Sequence, residues 1–242
     1  MLFRLGNILL LVTLVAVWLA SKANGTIGGY TKDGLVTYYL AGSLLNSIVF
    51  WWSTASIREE IANGELGAKV LSKPISYYWQ KFFEEFGWHT VSPIFAVLSI
   101  GVVAIFLRAH LVLDLSLQAI ILLALSVSLA SVLFFNISSC LGLLTFWFTE
   151  TAGLASFIWA GTFLLGGQGI PISFFPDLAH QIVLFLPFRY VYSFPLEIYT
   201  RNQSSGDLIF GFGMQIFWLV AFGLLFRWLW QHGLQKYSAY GG

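Results

Sequence analysis

The sequence predicts an all-helical membrane protein made of a single domain. Of its 242 residues, 58% are hydrophobic and only 10% are charged, and the mean hydropathy is +0.80. A soluble domain has about a quarter of its residues charged. The apolar runs approach the ~20 residues that a helix needs to cross a hydrocarbon core of ~30 Å. The ten-residue alternation of a membrane β-barrel is absent, so helices are the expected spanning elements.

We expect six transmembrane helices. The first apolar run follows the short start MLFR and lacks a convincing cleavage site, so it is interpreted as a span rather than a signal peptide. The fourth run would form a helix of ~52 Å, longer than the hydrocarbon layer is thick. This helix must tilt, kink or project from the bilayer, and a bend would be expected at its polar cluster NISSC, residues 136–140. The six spans cover about 5–21, 35–56, 90–107, 115–149, 151–169 and 208–230.

The distribution of basic residues gives an orientation. Six spans put both chain ends on the same side of the membrane. That side holds somewhat more basic residues than the other, mainly because of the loop after the second span. Positive charge favours the cytoplasmic side of a membrane. We therefore expect both termini in the cytoplasm and the protein in the inner or plasma membrane. No internal repeat or low-complexity linker divides residues 1–242, which are expected to form one transmembrane domain.

Residues 170–207, between the fifth and sixth spans, form an apolar segment that no straight transmembrane helix explains. Prolines interrupt it, and a proline inside a helix removes a backbone donor and clashes with the preceding turn. We expect short helices that re-enter the membrane or lie along its outer surface, with tyrosines at the level of the headgroups. The prolines are Pro171, Pro176, Pro187 and Pro195.

The loop 57–89 begins with a dense run of charge, REEIANGELGAKVLSKP. As a helix, it would place most of its charges away from Ile57 and Ile61, and Glu65 and Lys69 would form a favourable i,i+4 pair. Pro74 ends this helix. A second helix follows, with an interfacial aromatic face made of Tyr78, Phe82, Phe83 and Phe86.

Two interpretations of this loop remain open from its residues. The first is a solvated loop followed by an interfacial helix. The second is a docking element for a soluble protein, because mixed charges suit a protein surface better than anionic lipid, which favours Lys and Arg. The charged residues concerned are Arg58, Glu59, Glu60, Glu65, Lys69 and Lys73.

Missing motifs exclude several functions. The chain has no G-x-x-x-x-G-K-[ST] loop for ATP, no H-E-x-x-H, and no G-x-S-x-G. No basic tract indicates nucleic acid, and the single Cys140 excludes a cysteine-cluster metal site. No predicted span has an acid, a base or a His in its core, which disfavours transport driven by a proton or sodium gradient. We therefore expect no catalytic residue, no metal and no cofactor in this chain.

Two polar stripes lie within the spans. Such residues bond across helices in membranes, so helix packing is one interpretation. Contact with a transported molecule is the other, and the neighbouring aromatic residues would then favour an amphipathic or apolar cargo. The candidate translocation-path residues are Ser43, Asn46, Ser47 and Phe50 in the second span, and Ser131, Asn136 and Ser139 in the fourth.

The order of these features resembles the type-2 ABC transporter permeases. The stretch REEIANGELGAKVLSKPIS is similar to their first cytoplasmic loop, in which an Arg, an acid–Gly pair and an LxKP turn recur. The stretch LGGQGIPISFFPDLAHQIVLFLPFRYVYSFPLEIY resembles the end of their fifth span and their extracellular helices. The resemblance covers nearly the whole chain and is strongest to the small six-span permeases encoded in pairs beside one ATPase.

The resemblance implies the pore-forming permease subunit of an exporter. Two ATPase subunits would bind ATP and Mg, and would press on a coupling helix that by position is 57–73, with the six charged residues named above as contacts. A second permease subunit, identical or homologous, would complete the path across the lipid. The alternatives are a gradient-driven secondary transporter and a membrane assembly protein without a transport role.

The N-terminus departs from this family pattern. Members usually begin with a cytosolic segment and an amphipathic elbow helix, whereas only MLFR precedes the first apolar run here. Either the start is shortened or this chain lacks the elbow. These two alternatives leave an ATPase contact through an elbow helix open.

Overall fold

The structure is a computed structural model that describes residues 28–67, 74–107, 110–111, 116–148, 152–200 and 203–238, with the single residues 13 and 26. Every regular element in these ranges is a helix, which confirms the all-helical prediction. The first predicted span lies outside the described residues. The helices are α1 Lys32–Val49, α2 Thr54–Ala62, α3 Tyr77–Phe106, α4 Leu117–Leu143, α5 Ala152–Leu165, α6 Asp177–Val183, α7 Pro187–Val191, α8 Ser193–Thr200 and α9 Ser205–Ser238.

Three helical stretches in the described part of the chain are long and apolar enough to cross a membrane: Lys32–Ala62, Leu117–Phe146 and Ser205–Tyr237. They correspond to the second, fourth and sixth predicted spans. At the third and fifth positions the apolar helices are shorter, Ala96–Ile105 and Gly153–Leu165. The count of six spans, like the single-domain boundary, therefore stays a prediction.

The second predicted span, 35–56, is divided in the structure. Helix α1 begins with the Thr31 side chain, which accepts a hydrogen bond from the Gly34 N–H at 3.0 Å, and it ends at Val49. Phe50 leaves the helical conformation with φ −83° and ψ 83°, and α2 begins at Thr54. No Gly or Pro marks this break. It forms because Phe50 and Trp51 bury their side chains in the interior.

Helix α3 joins two elements that were expected to be separate. An interfacial helix was predicted before a span starting at residue 90, but a single helix of 30 residues covers both. Pro93 lies inside it and removes one backbone donor, without ending the helix. The end of the predicted loop 57–89 is therefore helical, because α3 begins at Tyr77.

The bend expected at residues 136–140 is not observed. Helix α4 continues through them to Leu143, where a 3-10 turn, Leu144–Phe146, takes over. The polar side chains of this cluster find partners on neighbouring helices instead of competing for the backbone of their own helix. The helix therefore has no local reason to break.

Helix α4 is the centre of the bundle and packs against α1, α2, α8 and α9. Its buried residues serve two hydrophobic cores. The first, called the Tyr38 core, includes Leu133, Phe134, Tyr190 and Phe194. The second, called the Ile57 core, includes Leu143, Phe146, Phe226 and Leu229. The side of the bundle that holds the Ile57 core is called the Ile57 end below.

Candidate functional site

Helix α2 is attached to α4 by four hydroxyl groups, called the hydroxyl seam: Ser53, Thr54, Ser138 and Ser139. The hydroxyls of Ser53 and Ser139 are 2.8 Å apart, and those of Thr54 and Ser138 are 2.9 Å apart. Thr54 also donates from its hydroxyl to the Ser138 carbonyl at 2.8 Å and from its N–H to the Ser138 hydroxyl at 3.1 Å. All four side chains are buried. The first turn of α2 is therefore held directly on α4.

A glycine permits this close approach. A Cβ added to Gly142 would lie 2.8 Å from the Ile57 Cβ and 3.1 Å from the Thr54 carbonyl oxygen. Real Cβ atoms essentially never approach a neighbouring atom as closely as the first of these distances. Gly142 therefore sets how near α2 comes to α4.

An ionic cluster holds the opposite side of α2 against α3. Lys81, whose side chain is fully buried, lies 2.7 Å from the Glu60 carboxylate and 2.9 Å from that of Glu84. The Tyr77 hydroxyl donates to the second Glu60 oxygen at 2.8 Å. Burial, and next the Glu60 charge, raise the pKa of Tyr77, so its proton stays in place as a donor. Buried charges require such partners.

A second contact between α2 and α3 lies beside this cluster. The Ser56 hydroxyl donates to the Glu85 carboxylate at 3.3 Å, and the Nδ1 atom of His89 lies 3.5 Å from the other Glu85 oxygen. Burial raises the pKa of Glu85, although the charge of His89 and the Ser56 hydrogen bond partly oppose the shift. Helix α2 is thus fastened on two sides by polar contacts of different kinds.

The structure separates the predicted ATPase contacts into three groups. Glu60 is only 4% exposed and bonds to Tyr77 and Lys81 within the chain, so it does not present its carboxylate to another protein. Glu59 and Glu65 are exposed and Arg58 is half-buried. Lys69 and Lys73 lie outside the described residues.

The structure also separates the candidate translocation-path residues. Four of them are buried in the bundle. Ser139 belongs to the hydroxyl seam, and Ser131 donates to the Val127 carbonyl of its own helix at 2.9 Å. The Phe50 ring centroid lies 4.6 Å from that of Phe134.

Asn136, the fourth buried residue of this set, joins three helices. Its side-chain oxygen accepts a hydrogen bond from the Tyr78 hydroxyl of α3 at 2.9 Å. Its amide donates to the Leu219 carbonyl of α9 at 3.3 Å. These four residues therefore pack the bundle in this conformation.

The three polar residues of α1 differ from them. Ser43, Asn46 and Ser47 are half-buried and lie on one stripe of the helix. Ser47 donates to the Leu44 carbonyl at 2.7 Å. Neither Ser43 nor Asn46 has a side-chain hydrogen bond within the ranges that the structure describes. Polar groups that face lipid are costly, so this stripe is a candidate contact surface.

A buried ion pair in the proline-broken segment was not predicted. Arg189 of α7 lies 2.9 Å from the Glu197 carboxylate of α8, and both side chains are at most 10% exposed. Burial alone would lower the pKa of Arg189, but the Glu197 carboxylate outweighs it and the pKa is raised. Two opposite charges eight residues apart in an apolar segment were the signal that could have indicated this pair.

The polar ties around the Tyr38 core were not predicted either. The hydroxyls of Tyr38 and Tyr39 donate to the carbonyls of Gly167 and Gly169 at 2.8 and 3.0 Å. Gln215, fully buried in α9, donates to the carbonyls of Ser126 and Tyr190 at 2.9 and 3.0 Å. Gln215 is an isolated polar residue in an apolar run, and this isolation could have indicated that its side chain bonds to another helix.

A helical bundle with apolar spans and a short charged helix fixed at one end defines a polytopic membrane protein. Within the described residues no group of His, Cys, Asp and Glu could hold a metal ion. The family model described as ABC-2 family transporter protein matches residues 7–241. The chain therefore belongs to this family, as the resemblance predicted, and is a membrane protein of the ABC transporter type. The comparison with curated proteins and that with solved structures found no match.

Proposed function

We propose that the chain is the permease subunit of an ATP-binding-cassette exporter, and that α2 is the element on which a separate ATPase acts. The observation that carries the proposal is the placement of α2. It is fixed to α4 by the hydroxyl seam and to α3 by the ionic cluster, while Glu59 stays exposed and Arg58 half-exposed. A helix held on two sides and charged on a third passes a displacement on to its neighbours rather than absorbing it.

In this proposal the Ile57 end faces the cytoplasm, and two ATPase subunits bind ATP and Mg beneath two permease subunits, identical or homologous. Their contacts on this chain are Arg58, Glu59 and Glu65, together with Lys69 and Lys73. Glu60 instead fixes α2 against α3. Movement of the coupling helix would enter the bundle through the helices that contact it. Because α1 is interrupted between Val49 and Thr54, we propose that α4 receives most of it.

The half-buried stripe of α1 is the proposed wall of the translocation path. Ser43 and Asn46 have no side-chain hydrogen bond within the described ranges, which fits a surface that meets water, cargo or the second permease subunit. A hydroxyl and an amide beside an otherwise apolar wall suit an amphipathic molecule. The buried residues Ser131, Asn136 and Ser139 are excluded from the resting wall by their contacts inside the bundle.

Reversing the exposed charges of the α2 region tests the ATPase contact. We expect the triple variant Arg58→Glu, Glu59→Lys and Glu65→Lys to insert and fold normally but to lose stimulation of ATP hydrolysis. Exposed ion pairs are each worth ~0.2–1 kcal/mol, so three reversals predict about a tenfold weaker association. Association and hydrolysis would be measured in proteoliposomes with the ATPase that co-purifies with the wild-type chain.

The matched control is Asp177→Lys, which changes an exposed charge at the start of α6, away from α2. It is expected to leave association and hydrolysis at the wild-type level. A triple variant that binds and stimulates the ATPase like the wild type would refute the assignment of α2. A wild-type chain that recovers no ATPase at all would instead favour a membrane assembly protein.

Two asparagine variants separate the proposed path from the packing of the bundle. We expect Asn46→Leu to change the free energy of unfolding by less than ~0.5 kcal/mol, because no described partner is lost. Asn136→Leu puts an apolar side chain opposite the half-buried Tyr78 hydroxyl, which loses its partner, and should cost ~1–3 kcal/mol. Unfolding of the purified chains in mixed micelles measures both values.

Only Asn46→Leu should lower transport without lowering stability. Transport is measured as ATP-dependent uptake of an amphipathic fluorescent dye into inside-out vesicles, normalised to folded protein. If Asn46→Leu unfolds as easily as Asn136→Leu, Asn46 packs against an element outside the described ranges, and the path assignment fails.

A further inference from the structure

The first three turns of α3 have an inverted polarity. Lys81 and Glu85 point into the protein and are 0% and 8% exposed. Trp79, Phe83 and Phe86, called the aromatic stripe, point outward and are 51%, 62% and 52% exposed. A helix at the surface of a soluble loop shows the opposite arrangement, with its charges outward. The surroundings of this face are therefore apolar or amphipathic.

The predicted aromatic face of this helix is only partly the exposed one. Phe83 and Phe86 are exposed as expected, but Tyr78 and Phe82 are half-buried and turn inward. The Phe82 ring centroid lies 5.4 Å from that of Phe135 in α4. Trp79 takes their place on the outer face.

The side of α3 that carries the aromatic stripe also carries exposed apolar side chains in the apolar half of the helix. Positions 79, 83, 86, 94, 97 and 105 fall on one side of an α-helix. Ile94, Val97 and Ile105 are 58%, 55% and 69% exposed. One helix face thus carries exposed apolar side chains from its first turn to its last. Exposed apolar side chains near both ends of one helix face indicate an apolar or amphipathic environment at both ends.

The length of α3 identifies that environment. At ~1.5 Å per residue, its 30 residues extend over ~45 Å. A bilayer is about 40–45 Å thick including the headgroups, and its hydrocarbon core is ~30 Å. A helix that crosses the core from Ile105 therefore has its first turns among the headgroups, where Trp is enriched because its ring is amphipathic.

We propose that the aromatic stripe of α3 lies in the headgroup layer at the Ile57 end and contacts phospholipid directly. Lys81 is paired inward with Glu60 of α2, and Glu84, which is 42% exposed, is paired with Lys81 on its own helix. The stripe itself carries no charge, so it offers a soluble protein no ionic contact, whereas lipid requires none. The ionic cluster of Glu60, Lys81 and Glu84 is consequently held at membrane depth. The ATPase then reaches only the exposed side of α2 and the residues that follow it, and not residues 77–89.

A single-cysteine scan tests this proposal without any partner protein. Cys140 is the chain's one cysteine, so Cys140→Ala gives a suitable background. Cysteines replace Phe83 in the stripe, Val97 as the lipid-facing reference and Glu59 as the water-facing reference. Each is spin-labelled in phosphatidylcholine vesicles, and its collision rates with oxygen and with a water-soluble nickel chelate are measured. Circular dichroism confirms that each labelled chain is folded.

The label at Phe83 is expected to collide with both reagents, with an oxygen-to-nickel ratio above that at Glu59 and below that at Val97, because the headgroup layer is wetter than the hydrocarbon core. A Phe83 ratio equal to that at Glu59 would place the stripe in water and overturn the proposal. Low collision rates with both reagents would show a protein neighbour, such as a second copy of the chain, and would overturn it equally.

Discussion

Replacing Lys81 with methionine is expected to destabilise the chain by about 3–5 kcal/mol, the usual cost of removing one partner from a buried ion pair. Lys81 is fully buried between the carboxylates of Glu60 and Glu84. Methionine fills much of the same volume but leaves Glu60 charged, buried and bonded only to the Tyr77 hydroxyl among the partners described above. The free energy of unfolding in mixed micelles measures the loss.

The control for this variant removes both charges. The double variant Lys81→Met with Glu60→Gln leaves no buried carboxylate that has lost its cation, because the Glu84 carboxylate is 42% exposed to solvent, and the amide still accepts a hydrogen bond from Tyr77. Replacing a buried ion pair by neutral groups of similar volume is often nearly neutral, so the double variant is expected to recover most of the lost stability. If it is as unstable as Lys81→Met alone, the loss comes from packing and the role of the charge pair is refuted.

Replacing Gly142 with alanine is expected to separate α2 from α4 and to abolish the coupling of ATP hydrolysis to transport. The added methyl group would overlap Ile57 and press on the Thr54 carbonyl. Overpacking of this kind costs about 1–3 kcal/mol, but its larger effect falls on the hydroxyl seam, whose bonds require the close approach. Hydrolysis and dye uptake would be measured with the reconstituted complex.

Gly213 supplies the matched control for this substitution. It also lies inside an apolar helix, α9, but a Cβ added there has no atom within 4 Å. Gly213→Ala is expected to keep full coupling and to be as stable as the wild type or slightly more stable. Full coupling in Gly142→Ala would show that α2 acts on the bundle by another route than α4.

Composition alone predicts a membrane protein, because the overall polarity of a chain reflects the solvent that surrounds it. The charged run after the second span also located α2, and the i,i+4 spacing of apolar residues such as Ile57 and Ile61 indicated a helix. These features are local. They need only the chemistry of neighbouring residues, which a sequence displays directly.

The direction in which a side chain points within the bundle could not be predicted in the same way. Glu60 follows Glu59 in the sequence, and nothing local shows that one is buried and the other exposed. Glu60 is buried because it pairs with Lys81, which lies 21 positions later in the sequence. The break after Val49 has the same origin, since burial of Phe50 and Trp51 interrupts a run that local propensity would continue. Asn136 keeps α4 unbroken through partners on α3 and α9.

The polar ties of the Tyr38 core set the order in which this chain can be assembled. The Tyr38 and Tyr39 hydroxyls bond to glycine carbonyls 129 and 130 positions later, and the Ser126 hydroxyl donates to Gln215, 89 positions later. A ribosome delivers α1 well before these acceptors exist. During synthesis the Tyr38 and Tyr39 hydroxyls therefore lack these two acceptors until the glycines after α5 emerge. Nascent chains truncated before residue 167 lack the glycine carbonyls to which Tyr38 and Tyr39 bond. The Tyr38 core is therefore completed late in synthesis.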